Sequence, residues 1–287
     1  MDSSNIARCA QLAMILEVSA TPKPGNIDRD HNYSGTRFEH FLASAVGVYP
    51  VMEKAAGSGS GVGALIRGSV LESSKWQKGG NTHFGAFILL VPLVMAAGKC
   101  EDRTCLLSQV KKIVRETSSE DAIEFFRAFS EAKVKVKQVT DLDLNDQSSI
   151  KKIEAHRLTL FKMMEISGSY DIIAAEWING FEKTFDCAIS IQNKIRKYCI
   201  NDAVVLTFME LLSQNKDTFI QTKFDRKKAE EVSLMAKKIL EKGDIDDVRD
   251  EICLFDEKLL KEGVNPGSTA DIIIAGLFVS LFEGMRF

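Results

Sequence analysis

The sequence contains little proline, few cysteines and no strongly basic tract, and each scarcity narrows what the chain can be. Only five prolines occur in 287 residues, so long segments can run as uninterrupted helices. The six cysteines are scattered, and no two of them form a Cys-x-x-Cys pair. In a chain this long without a recognisable export signal, that dispersal predicts reduced cysteines buried in a core rather than a disulfide framework.

The charge balance and the apolar runs exclude two large classes of partner. The formal net charge of −3 argues against nucleic acid and against a polybasic membrane surface binder, since both need a basic surface. The longest apolar runs, Ala86–Ala97 and Ile272–Phe282, fall short of the roughly 20 residues that a membrane span requires. The first residues also lack a basic region followed by an apolar run. We therefore expect a cytoplasmic protein with a small ligand.

Apolar residues recur at intervals of three and four through most of the chain, which is the helical period. The pattern is clear in Ser3–Ala20 and in Tyr170–Ile195, whereas strand-like alternation is short and is best seen in Lys133–Val139. A possible linker around Thr140–Ser149 is too short to establish a domain boundary. The sequence therefore predicts an all-α fold, a single-domain multi-helix bundle spanning residues 1–287.

The first informative polar loop is Thr21–Arg29. Prolines flank Lys23 on both sides and stiffen the backbone around this cation. Gly25 permits close approach of backbone N–H groups to a ligand, and Asp28 follows within the same loop. Such a loop can hold a phosphate together with its magnesium ion. A rigid helix–helix connection with solvated charges explains the same residues equally well.

Three further polar loops adjoin apolar helices. Asn81-Thr82-His83 precedes the first apolar run, where free N–H groups at a helix N-terminus favour an anion, although a simple helix cap is the alternative. The third and fourth loops are Asn215–Thr218, with Lys223 soon after, and Asn265–Asp271. Asp271 is expected in the first turn of the last helix, where the helix dipole alone would explain it. Together the four loops predict a polar cleft at one end of the bundle.

Glu17-Val18, Pro22–Arg29, Asn81-Thr82-His83, Asp217-Thr218 and Asn265–Asp271 occur in this order along nearly the whole chain. In this combination the chain resembles the triphosphoribosyl-dephospho-CoA synthase family of the CitG type. The segments Thr36–Phe41 and Trp76–Thr82 are similar to an archaeal branch of that family. Members join ATP to 3′-dephospho-CoA and release adenine, making a prosthetic-group precursor. The resemblance thus implies a nucleotide-dependent transferase in cofactor biosynthesis, with a CoA-like or other phosphorylated acceptor.

The implied reaction is attack of the acceptor 2′-hydroxyl on the ribose C1 of ATP through an oxocarbenium-like transition state. The resemblance implies Glu39 or Glu17 as the general base and His83 as an acid or a phosphate ligand. It implies that Mg²⁺ accompanies ATP, with Asp28, Asp217 and Asp271 as metal ligands. The expected ligands of the phosphates and substrate are Lys23, Gly25, Asn26, Arg29, Arg37, Asn81, Thr82, Thr218, Lys223, Asn265, Ser268 and Thr269.

Two positions depart from the usual family pattern. Phe84 stands where a lysine usually follows Asn-Thr-His, and Gly35–Glu39 replaces the usual Gly-Ala-His segment and introduces Arg37. These changes could redirect which phosphorylated substrate is bound. Two other functions fit the same loops: a metal-dependent phosphohydrolase that delivers water, and a nucleotide-binding module without chemistry. The sequence leaves the acceptor, the pathway and a possible homodimer open.

Overall fold

The computed structural model describes residues 1–132 and 148–287, and within these ranges the regular secondary structure is entirely helical. The all-α prediction is therefore confirmed for this part of the chain. The strand-like alternation at Lys133–Val139 and most of the possible linker at Thr140–Ser149 lie outside the described residues.

Sixteen helices make up this part of the chain. They are α1 (Ser3–Ser19), α2 (Phe38–Gly47), α3 (Tyr49–Ala56), α4 (Val62–Ser74), α5 (Phe84–Ala97), α6 (Arg103–Arg115), α7 (Ser119–Glu131), α8 (Ser148–His156), α9 (Leu160–Ser167), α10 (Ile172–Asn179), α11 (Glu182–Lys194), α12 (Ile200–Gln214), α13 (Thr218–Lys223), α14 (Arg226–Leu240), α15 (Ile245–Glu262) and α16 (Gly267–Phe282).

Several helices begin where the sequence supplies a capping side chain. Ser118 and Asp121 form a reciprocal capping box at the start of α7, in which each side chain accepts a hydrogen bond from the other residue's backbone N–H. Asp217 caps α13 by accepting from the N–H groups of Phe219 and Ile220. α1 ends at Ser19, shortly before Pro22, as the proline predicts.

The two long apolar runs form the centre of the bundle. Almost every residue of α5 and α16 is buried, and α16 packs against α1, α5 and α11. Both runs are thus buried core helices, as expected for helices that are apolar on every face. Among the described residues no helix is both long and apolar enough to cross a membrane. The polar N-termini of α5 and α16 consequently lie at the edge of a large apolar core.

One pair of cysteines corrects the expectation of reduced thiols. A disulfide joins Cys100, in the short connection after α5, to Cys105 in the first turn of α6. The expectation was wrong for this pair because the turn after Ala97 brings two cysteines together that the sequence separates by only five positions. The other four cysteines are free.

Candidate active site

A cavity of about 370 Å³ lies where the first, second and fourth predicted polar loops meet Phe219 and Lys223 of α13, which follows the third loop. It is bounded by the C-terminal part of α1, the N-termini of α5 and α16, and the end of α13. The predicted polar cleft formed by inter-helix loops is therefore confirmed. Nine of the predicted catalytic, binding and metal residues line its wall: Glu17, Asn26, Asn81, Thr82, His83, Lys223, Asn265, Ser268 and Asp271.

Glu17 and Lys23 form a buried ion pair at one side of the cavity. The Nζ atom of Lys23 contacts Glu17 Oε1, and both side chains are almost completely shielded from solvent. Burial raises the pKa of Glu17, while the neighbouring Lys23 charge acts in the opposite direction. Glu17 lines the cavity but Lys23 does not. The cation expected to bind phosphate therefore lies behind a carboxylate, and its role as a phosphate ligand stays a prediction.

His83 lies at the start of α5 and is buried. Its Nδ1 atom shares a hydrogen bond of 2.8 Å with Ser44 Oγ, and the edge of the ring contacts Phe41 at 4.8 Å between ring centroids. Its Nε2 atom has no hydrogen-bond partner, although the side chain borders the cavity. Burial, assisted by the Lys23 charge, lowers the pKa of His83 to about 3. The imidazole is therefore neutral near neutral pH and leaves one nitrogen available to a ligand.

Asp271 projects into the same cavity from α16. The helix begins at Gly267, so Asp271 is in its second turn, and the dipole explanation based on the first turn was wrong. Its carboxyl group lies against Gly85, where an added Cβ would be 2.1 Å from Asp271 Oδ2, and accepts the backbone N–H of Ala86. Burial and the charges of Glu17 and Asp217 raise the pKa of Asp271 well above its usual range.

Asp217 connects α13 to α16 and does not line the cavity. Its Oδ1 atom accepts from two backbone N–H groups of α13, and its Oδ2 atom accepts from the N–H and the hydroxyl of Thr269, at 2.7 and 2.8 Å. Beside it, the hydroxyls of Thr218 and Ser268 are 3.0 Å apart. Burial raises the pKa of Asp217 to about 6. The hydrogen bonds between Asp217 and Thr269 thus fix the N-terminus of α16. Direct contact of Asp217 with metal or substrate stays a prediction.

The remaining residues predicted in the first loop are placed away from the cavity wall. Gly25 adopts a left-handed conformation with φ +73°, and its N–H donates to Asp256 Oδ1 at 2.8 Å instead of facing a ligand. Asp28 is fully buried and accepts the backbone N–H groups of Asp30 and His31, which directly follow the loop. Arg29 is half-exposed and donates to the carbonyl of Ser19. The loop therefore supplies Asn26 and Ile27 to the wall, and its charges lie elsewhere.

Arg37 and Glu39 are exposed and do not line the cavity. Arg37 is the residue immediately before α2, and Glu39 is in the first turn of that helix. Phe84, the other departure from the family pattern, does line the cavity and packs against Phe125 and Phe129, with ring centroids 5.8 and 4.9 Å away. The missing lysine is thus replaced by part of an aromatic cluster.

Sequence reasoning missed Asp256, which is buried in the middle of α15 beside the first loop. In the sequence it is one of several carboxylates on a charged helix, and no glycine or proline marks it. A weak signal existed, because Asp256 directly follows Phe255 and precedes Leu259 by three positions, on the buried side of the helix.

The comparisons with known proteins extend over nearly the whole chain. Residues 3–286 match the family model described as CitG, ATP:dephospho-CoA triphosphoribosyl transferase. A 2-(5''-triphosphoribosyl)-3'-dephosphocoenzyme-A synthase from Klebsiella pneumoniae is 24% identical over 302 residues, and the match covers 98% of this chain and 92% of that protein. The protein of the same name from Escherichia fergusonii is 25% identical over 304 residues with the same coverage.

A solved structure also resembles this chain. The crystal structure of an Archaeoglobus fulgidus protein, assigned as a triphosphoribosyl-dephospho-CoA synthase, superposes with a TM-score of 0.70 and 28% sequence identity. The match covers 85% of this chain and all of the other one.

Proposed function

The chain belongs to the ATP:dephospho-CoA triphosphoribosyl transferase family, CitG, and from that premise we propose that it transfers the triphosphoribosyl group of ATP to 3′-dephospho-CoA. The acceptor oxygen bonds to ribose C1 as the bond from C1 to adenine breaks, and adenine leaves. The proposal treats residues 1–287 as one domain. The observation that carries it is the presence, in one cavity, of two buried carboxyl groups with different charged neighbours. Burial raises the pKa of both, but the Lys23 cation opposes this rise at Glu17, whereas the negative charges of Glu17 and Asp217 add to it at Asp271.

Glu17 is the group best placed to accept the proton of the acceptor hydroxyl. It borders the cavity, and the buried Lys23 ammonium beside it favours the ionised carboxylate that a general base needs. Glu39, the other candidate, is exposed outside the cavity wall. We therefore assign the base to Glu17.

Asp271 is the corresponding acid. Burial and the nearby negative charges of Glu17 and Asp217 favour its protonated form, which can donate a proton to the departing adenine. The proton lost by the acceptor goes to Glu17, and the proton gained by adenine comes from Asp271. The two carboxyl groups thus exchange protonation states during one turnover.

His83 fits a different role from that of a charged acid. Its pKa of about 3 leaves the ring neutral, the residue lines the cavity, and its Nε2 atom has no hydrogen-bond partner. A neutral imidazole there can form a hydrogen bond with the base or the ribose of the nucleotide. We assign His83 to nucleotide binding and orientation.

The triphosphate is expected at the side of the cavity formed by Lys223, Ser268 and the N-terminus of α5. Lys223 is the predicted phosphate-binding cation that lines the wall, and the free N–H groups of a helix start favour an anion. Magnesium would enter with ATP as part of the substrate and be held largely by triphosphate oxygens and water. Asp28 and Asp217 lie outside the wall, and we assign Asp271 to proton transfer.

One assay tests the function. The purified protein is incubated with ATP, Mg²⁺ and 3′-dephospho-CoA, and the nucleotides are separated by chromatography. The proposal expects free adenine and an equal amount of a new triphosphoribosylated product, and no adenine when the acceptor is omitted. Formation of ADP or AMP with phosphate or pyrophosphate would indicate hydrolysis, and tight ATP binding without any product would indicate a binding module. Either result would contradict the proposal.

A further inference from the structure

Asp28, His31 and Asp256 form a second cluster of metal-ligating atoms outside the cavity wall. In residues 1–132 and 148–287 no other group of three histidine, cysteine or acidic side chains places its ligand atoms within 4.8 Å of one another. We propose that these three residues bind a divalent transition-metal ion that connects the first loop to α15. This site is independent of the proposed transferase chemistry, and neither His31 nor Asp256 has a role in it.

The distances in the cluster match those between neighbouring ligands of one ion. His31 Nδ1 is 3.1 Å from Asp28 Oδ1 and 3.1 Å from Asp256 Oδ2. Nitrogen and oxygen ligands bond zinc at about 2.0–2.2 Å, so two adjacent ligands of one ion are separated by roughly 3 Å. An ion could therefore bind between the three side chains with small movements.

A buried acceptor in the cluster makes no hydrogen bond, although His31 Nδ1 lies 3.1 Å from it. Asp256 Oδ1 accepts the N–H of Gly25, whereas Asp256 Oδ2 has no hydrogen-bond partner although the side chain is 1% exposed. Leaving a buried carboxylate oxygen unpaired is costly. This oxygen points toward the imidazole of His31, and an ion bound there would supply the missing interaction.

The first loop already orients the other ligands. Asp28 Oδ1 accepts the backbone N–H groups of Asp30 and His31, both at 2.9 Å, which fixes the carboxylate toward the cluster. The ring of His31 is about one-third exposed, and this leaves a route for the ion and positions for water ligands. Hydrogen-bonded carboxylates and an open face are features of many protein metal sites.

The donor atoms indicate the class of ion. One imidazole nitrogen with two carboxylate oxygens suits Zn²⁺ or Mn²⁺, while Mg²⁺ and Ca²⁺ prefer sites built from oxygen alone. The ion would join Asp28 of the first loop, and His31 just after that loop, to Asp256 of α15. Asn26 and Ile27 of the same loop line the cavity wall. Its role is to position the loop.

Metal binding to the full chain tests the site. Protein stripped of metal is titrated with Mn²⁺, free Mn²⁺ is followed by electron paramagnetic resonance, and Zn²⁺ and Mg²⁺ are added as competitors. We expect one Mn²⁺ per chain, displaced by Zn²⁺ far more readily than by Mg²⁺. No ATP or acceptor is present, so the result is independent of the adenine assay.

Two variants connect binding to these residues. His31→Gln and Asp256→Asn should each weaken Mn²⁺ binding by at least roughly tenfold. Asp246→Asn changes an exposed carboxylate on the same helix and should bind as the unchanged protein does. His31 is partly exposed, so His31→Gln keeps the test valid if Asp256→Asn fails to fold. The proposal is overturned if the unchanged protein binds neither Mn²⁺ nor Zn²⁺ stoichiometrically, or if His31→Gln retains full affinity.

Discussion

Two neighbouring stretches of the chain carry the same kinds of charged residue and are placed in opposite environments. Glu17 and Lys23 in the first stretch, residues 17–28, are buried as an ion pair at the cavity. Arg37 and Glu39 in the second, residues 29–39, are exposed outside its wall. Tyr33, Ser34 and Thr36 of the second stretch do line the cavity. Because the energies of charges and proton transfers depend strongly on desolvation, however, the buried charges of the first stretch are the ones suited to proton transfer. The residue types alone do not distinguish them.

The difference comes from how each stretch is anchored. In the first, Gly25 donates to Asp256 on α15 and Asn26 donates to Asn265, next to α16, so the loop is held against buried helices. In the second, Tyr33 and Thr36 donate to the backbone carbonyls of Gly25 and Gly79, whereas Arg37 lies exposed immediately before α2. Tertiary anchoring determines which charges are buried.

Asp271→Asn should have the largest effect. Loss of a positioned acid typically costs 10²–10⁴-fold in rate, so we expect kcat for adenine release to fall by about that factor while the protein remains folded. The exposed Asp30→Asn is the matched control and should be near normal.

The pH dependence of activity provides a second test of Asp271 as the acid. An acid must be protonated to act, so activity should decline as pH rises through the elevated pKa of Asp271. Asp271→Asn should lose this decline. If kcat/KM of the unchanged protein rises steadily with pH up to pH 9, Asp271 is not the acid.

Lys23→Met should be the most destabilising change in the two stretches. It leaves the buried Glu17 carboxylate without its cation, and breaking a buried pair in this way costs about 3–5 kcal/mol. Without Lys23 the pKa of Glu17 rises further, so the variant should lose more stability at pH 8 than at pH 5. Urea denaturation measures both values.

Arg29→Met, in the exposed stretch, is the control and should alter stability by less than about 0.5 kcal/mol. If Lys23→Met and Arg29→Met lowered the free energy of unfolding equally, the contrast between a buried and an exposed stretch would be wrong.

Asp217→Asn tests a carboxylate to which we assign a structural role, in contrast to Glu17 and Asp271, which we assign to proton transfer. The amide has a single acceptor oxygen, so an NH₂ group would face the N–H of Thr269 or those of α13. We expect a loss of about 1–3 kcal/mol in the free energy of unfolding. Asp225→Asn, at the exposed start of α14, should change little because asparagine caps a helix as well as aspartate does. Equal losses of unfolding free energy for Asp217→Asn and Asp225→Asn would show that the hydrogen bonds from Thr269 of α16 to Asp217 do not contribute to stability.

Much of the fold can be predicted from local sequence patterns, whereas the roles of the individual site residues cannot. The apolar runs of α5 and α16 and the cap at Ser118 depend on neighbouring residues, so the sequence reveals them. The meeting of the polar loops was also predictable. The first stretch is held by hydrogen bonds to Asp256 and Asn265, which are more than 200 positions away. Local sequence patterns therefore do not reveal that Glu17 is buried while Glu39 is exposed, or that Asp256 lies beside the first loop.

Arg37→Ala should have the smallest effect. An exposed side chain outside the cavity is expected to change kcat/KM for ATP by less than about threefold. Lys223→Ala, in the cavity wall, should raise KM for ATP clearly more. A tenfold loss for Arg37→Ala would mean that the exposed stretch closes over the nucleotide, and the contrast between the stretches would fail.

The most direct test compares the two glutamates under identical conditions. Single-turnover adenine release from ATP and 3′-dephospho-CoA is measured for Glu17→Gln and Glu39→Gln, with circular dichroism confirming that both are folded. The account predicts a loss of about 10²–10⁴-fold for Glu17→Gln and a nearly normal rate for Glu39→Gln. A normal rate for Glu17→Gln with a large loss for Glu39→Gln would contradict it, and would transfer the base to the exposed stretch.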